Sequence, residues 1–234
     1  MAEVNRPALV LLSGGLDSTV LLHSVAQKLR QGKLFVLSFN YGQRHNKELD
    51  CARYQADLAG ATSHEIIDIA FLGKLLQGST ALIPGGPEVP NLTDLSDNDR
   101  EQPPTYVPNR NMMLLALAAA HAEARGIQDI YYGAQAQDEY GYWDCTIDFL
   151  DRINAVLCLN RRTPVTVHAP LIRNSKADNV RLGLELGVDF AHTWSCYRGD
   201  ATACGLCPTC IERLQGFSAV GAIDPLPYPE GVSR

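Results

Sequence analysis

The chain has 234 residues, of which 46% are hydrophobic, 20% charged and 7% aromatic. At roughly 100–200 residues per domain this is one large domain, or one domain with a small appendage, and the hydrophobic fraction is normal for a packed core. A formal charge of −6 leaves no broad basic footprint for nucleic acid or an anionic membrane, which argues against direct nucleic-acid binding as the main activity. No uninterrupted apolar stretch reaches the length of a membrane span; the longest, Met112 to Ala120, stops at His121 and Glu123. Met1 to Pro7 holds one arginine and no apolar signal-peptide core, so the expected location is the cytoplasm.

Apolar runs alternate with helical patterns along the chain, the signature of βαβ units and a parallel sheet. Ala8 to Leu12 reads as a first strand, broken by Ser13-Gly14-Gly15. Val20, Leu21, Val25 and Leu29 then recur at helical spacing from Ser18 to Arg30. Leu34 to Phe39 is a second strand, Lys47 to Leu58 a helix, and His64 to Ile69 a third strand. The pattern lapses from Gly73 to Pro104, which carries seven glycine and proline breakpoints between Pro84 and Pro104 and the acidic run Asp94 to Glu101. A loop of that length reads either as a surface insertion or as a substrate lid. Asn111 to Arg125 is a helix, Asp129 to Gly133 a strand, Thr146 to Leu159 a helix, Val165 to His168 a strand and Lys176 to Leu186 a helix. A short helix is expected near Ile211 to Phe217 and an extended tail from Asp224 to Arg234. The fold class is therefore α/β with a doubly wound parallel sheet in residues 1–190, followed by a small cysteine-rich region in 191–234.

Ser13-Gly14-Gly15-Leu16-Asp17-Ser18 sits where the first strand hands over to a helix. Two glycines let the backbone turn tightly and bring its N–H groups against a ligand. The helix that follows offers unpaired N–H groups and a positive dipole end to a phosphate. Ser13, Ser18 and Thr19 add hydroxyls, and Asp17 is suited to cap the helix or to hold Mg²⁺. The loop is not a Walker A motif, since it lacks the lysine, and it is neither a dinucleotide fingerprint nor a nucleophile elbow.

Cys196, Cys204, Cys207 and Cys210 are spaced C-x7-C-x2-C-x2-C. Four thiolates this close in sequence can reach one tetrahedral ion, and soft sulfur ligands suit zinc. An iron–sulfur cluster is the rival, because C-x2-C-x2-C also opens the bacterial ferredoxin run. In that run the fourth cysteine lies downstream and precedes a proline, whereas here it lies upstream, which favours a structural Zn²⁺. A closed four-thiolate site leaves no open coordination position, so its role is stability. Cys51, Cys145 and Cys158 read as packed thiols.

The hexapeptide resembles the PP-loop of the ATP pyrophosphatases, which cleave ATP between its α- and β-phosphates. Three further segments narrow the choice: Tyr41-Gly42-Gln43-Arg44-His45 after the second strand, Val107-Pro108-Asn109-Arg110-Asn111 before the Ala/Leu helix, and Asp138 to Cys145 after the strand ending at Gly133. With Ser175-Lys176-Ala177-Asp178 and the four-cysteine tail, the chain closely resembles the 7-cyano-7-deazaguanine synthases from about Leu9 to Pro225. One segment departs from that family. Where the family normally reads Ser-Gly-Tyr-Pro-Asp-Cys-Arg, this chain has Tyr140-Gly141-Tyr142-Trp143-Asp144-Cys145-Thr146, losing a proline and a fixed positive charge.

The resemblance implies an ATP-dependent carbon–nitrogen ligase that adenylates 7-carboxy-7-deazaguanine and reacts it with ammonia, first to the amide and then to the nitrile, releasing AMP and pyrophosphate. It implies that Leu12, Ser13, Gly14, Gly15, Leu16, Asp17 and Ser18 bind ATP with its Mg²⁺. Arg44, Arg110 and Lys176 are the candidates for stabilising charge on phosphate, and Asp144 or Asp138 for accepting a proton from the amine. Tyr41, Gln43, His45, Asn109, Tyr142 and Trp143 are expected around the deazapurine, with Tyr142 or Trp143 stacking on its face. Members of the family are homodimers. The altered 140–146 segment motivates a rival acceptor, the N-terminal amine of a partner protein, as in a nucleobase–protein ligase of antiviral defence. A nucleotide-binding regulator and a tRNA thiolase are the remaining rivals, weakened by the intact loop and the net acidity.

Overall fold

A computed structural model describes residues 6–29, 32–44, 46–96, 102–135, 142–198 and 201–233. The expected strands form, in chain order: β1 (Ala8–Leu11), β2 (Leu34–Asn40), β3 (Ser63–Asp68), β4 (Asp129–Tyr131) and β5 (Thr166–His168). They make one parallel sheet in the order β3-β2-β1-β4-β5. The helices are α1 (Leu16–Lys28), α2 (Lys47–Leu58), α3 (Phe71–Leu75), α4 (Arg110–Ala124), α5 (Ile147–Leu157), α6 (Lys176–Glu185) and α7 (Pro208–Ala219).

The sheet is covered on both faces, which is why β1 reads as an unbroken apolar run rather than an alternating one. Its odd and even positions go to different cores. Ala8 and Val10 pack with Leu16 and Val20 of α1, Ala52 and Ala56 of α2, Val180 of α6 and Phe217 of α7. Leu9 faces the opposite side, with Leu115, Ala118 and Ala122 of α4 and Phe149 of α5. Each strand from β1 outward is followed by a chain segment that returns across the sheet, and the direction of winding reverses between β1 and β4. In open α/β sheets that reversal opens a crevice beyond the carboxyl ends of the strands, where ligands bind.

Two differences from the sequence reading bear on function. Helix α1 begins at Leu16, not Ser18, so Leu16, Asp17 and Ser18 are its first turn and the glycine pair alone makes the bend. The segment 73–104, read above as an insertion or a lid, is anchored to the rest of the chain at several of its described residues. Thr80, Ala81, Leu82 and Ile83 are buried, and Ala81 and Val89 join Trp194, Cys196, Cys207 and Cys210 in a third apolar cluster. Arg198 donates to the Val89 carbonyl and to Asn91 Oδ1, and the Leu92 N–H donates to the Leu206 carbonyl. The short helix α3 was not expected, since five residues are too few to show a period.

Candidate functional site

The carboxyl ends of β1, β2 and β4 open into a cleft of about 280 Å³. Its floor is the Ser13–Ser18 loop. Gly14 has φ +87°, and a Cβ there would lie 1.9 Å from the Glu48 carbonyl oxygen and 2.9 Å from the Ala52 nitrogen. Only glycine permits both the backbone angle and the close approach to α2. Within the loop, Ser13 and Ser18 hydroxyls share a 2.9 Å hydrogen bond, and the Gly15 N–H donates to Ser13 Oγ at 3.2 Å. The first turn of α1, Leu16 to Ser18, lines the cleft, and a helix N-terminus so placed attracts phosphate.

Asp17 makes no cap to α1. Its two oxygens accept from Lys176 Nζ at 2.7 Å and from Asn179 Nδ2 at 2.8 Å, which ties the loop to the start of α6. A capping box, Ser175 with Asp178, fixes that start, so the Lys176 ammonium is delivered from a rigid helix end. Glu212 of α7 lies on the other side of Lys176 at 4.0 Å.

Arg110 enters the cleft from the N-terminus of α4. Its guanidinium donates to Tyr41 Oη at 3.4 Å and lies 5.8 Å from the ring centroid. The turn that aims it is unusual. Asn109 takes a left-handed conformation, φ 55°, and its N–H donates to the Tyr106 hydroxyl at 3.1 Å. The same hydroxyl accepts the Trp143 indole N–H at 2.8 Å. Trp143 thus props the turn that precedes Arg110. It packs edge-on to Phe149, is 44% exposed and is outside the lining of the cleft. Thr146 caps α5 by accepting the Phe149 N–H.

Asp144 is buried beside Arg110 and Cys145 in a small recess that shares Arg110, Cys145 and Tyr197 with the cleft. Burial raises its pKa, against the pull of Arg110 and of the Asn111 N–H. Tyr142 borders this recess too, its hydroxyl bonded to Thr105 at 2.7 Å. Gln43 and Tyr41 line the cleft, and Gln43 Oε1 accepts the Tyr41 N–H. Arg44 reaches the cleft at its rim, where it donates to the Gly86 and Pro87 carbonyls at 3.0 and 2.6 Å. That guanidinium pins the 73–104 segment as a wall. Asn109 is outside the lining, and His45, Asp138 and Tyr140 lie outside the described residues.

The sequence reading passed over several lining residues. Glu48, in the first turn of α2, is held between the loop and Arg110; burial pushes its carboxyl up to about 7, with Arg110 opposing the shift. Glu212, Thr209, Ser195, Trp194 and Tyr197 come from the cysteine-rich region and complete one wall. Glu48 belongs to no spacing motif, though an acid opening the helix just after β2 is placed by topology near the strand ends. Glu212, two residues past Cys210, carried no separate signal.

The four cysteines converge. Their sulfurs all lie within 4.8 Å of one another, with Cys204 and Cys210 Sγ 3.9 Å apart. A tetrahedral ion with sulfur bonds of about 2.3 Å needs ligands about 3.8 Å apart, so this set can hold a metal ion with small adjustment. The Leu206 and Cys207 N–H groups donate to Cys204 Sγ, and the Cys204 N–H to Cys196 Sγ. Hydrogen bonding among the four thiols lowers the pKa of Cys204 and Cys207 and raises that of Cys196 and Cys210. Thiolate is the form a metal requires. Among the described residues no helix is long and apolar enough to cross a membrane.

Residues 7–221 match the family model of the queuosine biosynthesis protein QueC. The chain is similar to proteins named 7-cyano-7-deazaguanine synthase: 44% identical to that of Kineococcus radiotolerans, over 96% of this chain and 99% of the relative. It is 41% identical to that of Alteromonas mediterranea over 96% of this chain and the whole relative, and 41% to that of Hahella chejuensis over 94% and 92%. The U34-tRNA thiolase NcsA of Methanococcus maripaludis, solved with its [4Fe-4S] cluster, superposes with a TM-score of 0.49 at 15% identity over 84% of this chain and 63% of that one.

Proposed function

The chain belongs to the queuosine biosynthesis protein QueC family, and from that premise we propose that it is a 7-cyano-7-deazaguanine synthase, an ATP-dependent carbon–nitrogen ligase. The observation that carries this reading is the near full-length identity of 44% to a synthase, on a chain whose phosphate-type loop opens a cleft at the sheet's reversal point.

The chemistry follows from the substrate. A carboxylate resists attack by an amine because it is negatively charged and oxide leaves poorly. Its oxygen attacks the α-phosphorus of ATP, the bond to the bridging oxygen breaks, and pyrophosphate departs. Ammonia then adds to the acyl carbon, a proton is lost from nitrogen, and AMP leaves with the C–O bond pair. In the second cycle the amide oxygen attacks the α-phosphorus of another ATP and pyrophosphate departs; loss of two N–H protons and of AMP, which leaves with the C–O bond pair, gives the nitrile.

In this reading the first-turn N–H groups of α1 and the Ser13 and Ser18 hydroxyls receive the pyrophosphate. Lys176 and Arg110 are the cations that offset the charge gathering on the phosphate oxygens. Mg²⁺ arrives with ATP, and Asp17 is the carboxylate suited to its outer or inner sphere. Glu48 and Asp144 are the proton acceptors for nitrogen, since both carboxyls hold protons more readily than usual, in a setting that restricts water. Tyr41, Gln43 and Tyr142 surround the base. Zn²⁺ is the metal we assign to Cys196, Cys204, Cys207 and Cys210, where it would supply a rigid cross-link and no open position for chemistry. A homodimer is expected, read by light scattering. Neither the relatives nor the described residues favour a protein amine as acceptor.

The test is exchange of labelled pyrophosphate into ATP. Exchange that requires 7-carboxy-7-deazaguanine and proceeds without ammonia establishes the first adenylation; absence of exchange with that base, in protein that binds ATP, rejects the substrate.

A further inference from the structure

Trp194 stands between the cysteine site and the phosphate-type loop. Its backbone N–H donates to the Gly14 carbonyl at 2.9 Å, and its indole N–H donates to the carbonyl of Cys196 at 3.0 Å. The ring is 4% exposed and carries Lys47 Nζ 4.1 Å above it, while Lys47 also donates to the Ala201 carbonyl. One residue thus contacts the glycine that makes the bend, a metal-ligating cysteine, and the helix that packs against the bend.

A second connection runs through α7. Cys207 is its N-cap and Cys210 lies in its first turn, so a metal held by both fixes the helix start. Thr209 Oγ1 donates to the Ser195 carbonyl at 2.8 Å. Glu212 then lies 4.0 Å from Lys176, which pairs with Asp17 of the loop. Gly216 makes the approach close: a Cβ there would lie 2.8 Å from Lys176 Cγ. The two connections reach opposite sides of one six-residue loop.

We propose that the four-cysteine site is energetically linked to the nucleotide site, with Trp194 and Glu212 as positioning residues that transmit metal binding to the Ser13–Ser18 loop. This rests on reading that loop as the ATP site. Linkage is reciprocal: if metal improves nucleotide affinity, nucleotide must hold the metal more tightly by the same factor.

The experiment uses the metal-loaded full chain, Zn²⁺ and α,β-methylene ATP, an analogue that cannot be cleaved between the α- and β-phosphates. Zinc loss at equilibrium to a metallochromic chelator of comparable affinity is measured with and without saturating analogue, and analogue affinity is measured by calorimetry. We expect the analogue to raise the zinc affinity at least fivefold in the wild type. In Trp194→Phe, which keeps the backbone contact but loses the indole N–H, and in Glu212→Gln, protection falls below the wild-type factor. In the double variant it falls below twofold while the zinc content stays at one per chain. A purely structural metal would give equal zinc loss with and without analogue, and that result overturns the proposal. An analogue that fails to bind the zinc-loaded wild type removes the ATP-site reading and the proposal together, whereas binding with unchanged zinc loss removes the proposal alone. Neither measurement involves the deazaguanine, so failure of the synthase reading leaves the test intact.

Discussion

Arg213 of α7 is 1% exposed in its side chain and Asp224 is fully buried, and they are joined by two hydrogen bonds, Nε to Oδ2 at 2.7 Å and Nη2 to Oδ1 at 2.9 Å. The guanidinium also donates to Thr193 Oγ1 and to the Phe190 carbonyl, and the Tyr228 hydroxyl donates to Asp224. The pair therefore clasps α7, the tail and the stretch leading to Trp194. Arg213→Met keeps the aliphatic stem but strands a buried carboxylate, which costs about 3–5 kcal/mol where one partner of a buried pair is removed. For a chain of this length each kcal/mol shifts the melting temperature by about 2–4 °C, so a loss of roughly 10 °C is expected. Replacing both members, Arg213→Met with Asp224→Leu, removes the stranded charge as well as the bond. The double variant should cost less than the sum of the single ones by at least about 2 kcal/mol. Urea unfolding of the four proteins reads the cycle. Additive costs, or a loss below about 1 kcal/mol for Arg213→Met alone, would refute the view that this ion pair holds the wall of the cleft.

Three further outcomes are expected. Gly14→Ala should destabilise far more than Gly60→Ala: both glycines have positive φ, but a Cβ at Gly60 meets nothing within 4 Å, so Gly60→Ala costs about 1–2 kcal/mol in urea unfolding and the excess at Gly14 measures the close approach to α2. Glu48 has its carboxyl pKa raised from 4.5 to about 7, so the wild type loses stability as pH rises through that window; Glu48→Gln, which cannot ionise, should gain on it between pH 5 and 8 by at most about 3 kcal/mol, reduced by solvent at the cleft mouth. A constant gap between the two proteins across that range would contradict the assigned burial, and the same variant should slow the amine step while sparing pyrophosphate exchange. Thr146→Ala should cost about 1 kcal/mol of stability through loss of the α5 cap, with little change in activity; a large activity loss would mean that Thr146 serves the site directly.

Much of this fold was legible in one dimension. Strands buried on both faces leave unbroken apolar runs, and helix spacing between them dictates a parallel sheet, so β1, β2 and α2 fell where the residues indicated. The loop and the cysteines were legible because chemistry forces fixed residue types at short spacing. Strand order is not written locally: that β4 lies beside β1, which creates the crevice, depends on long-range packing. For the same reason Glu48 and Glu212 escaped notice, since each acts through partners about sixty or thirty-six residues away and neither sits in a motif. Trp143 carries a contact that the sequence does not signal. Expected with Tyr142 as an alternative stacking surface, it packs its ring edge-on to Phe149 and donates its N–H to the Tyr106 hydroxyl, which also accepts from the Asn109 turn that precedes Arg110.

The most direct test of the catalytic assignment is mass spectrometry of the base, with AMP counted alongside, in a reaction of purified protein, ATP, Mg²⁺, 7-carboxy-7-deazaguanine and ammonium. The expected result is conversion to 7-cyano-7-deazaguanine with two AMP released per nitrile. AMP release that stops at the acyl-adenylate or the amide, with no nitrile formed, would contradict it.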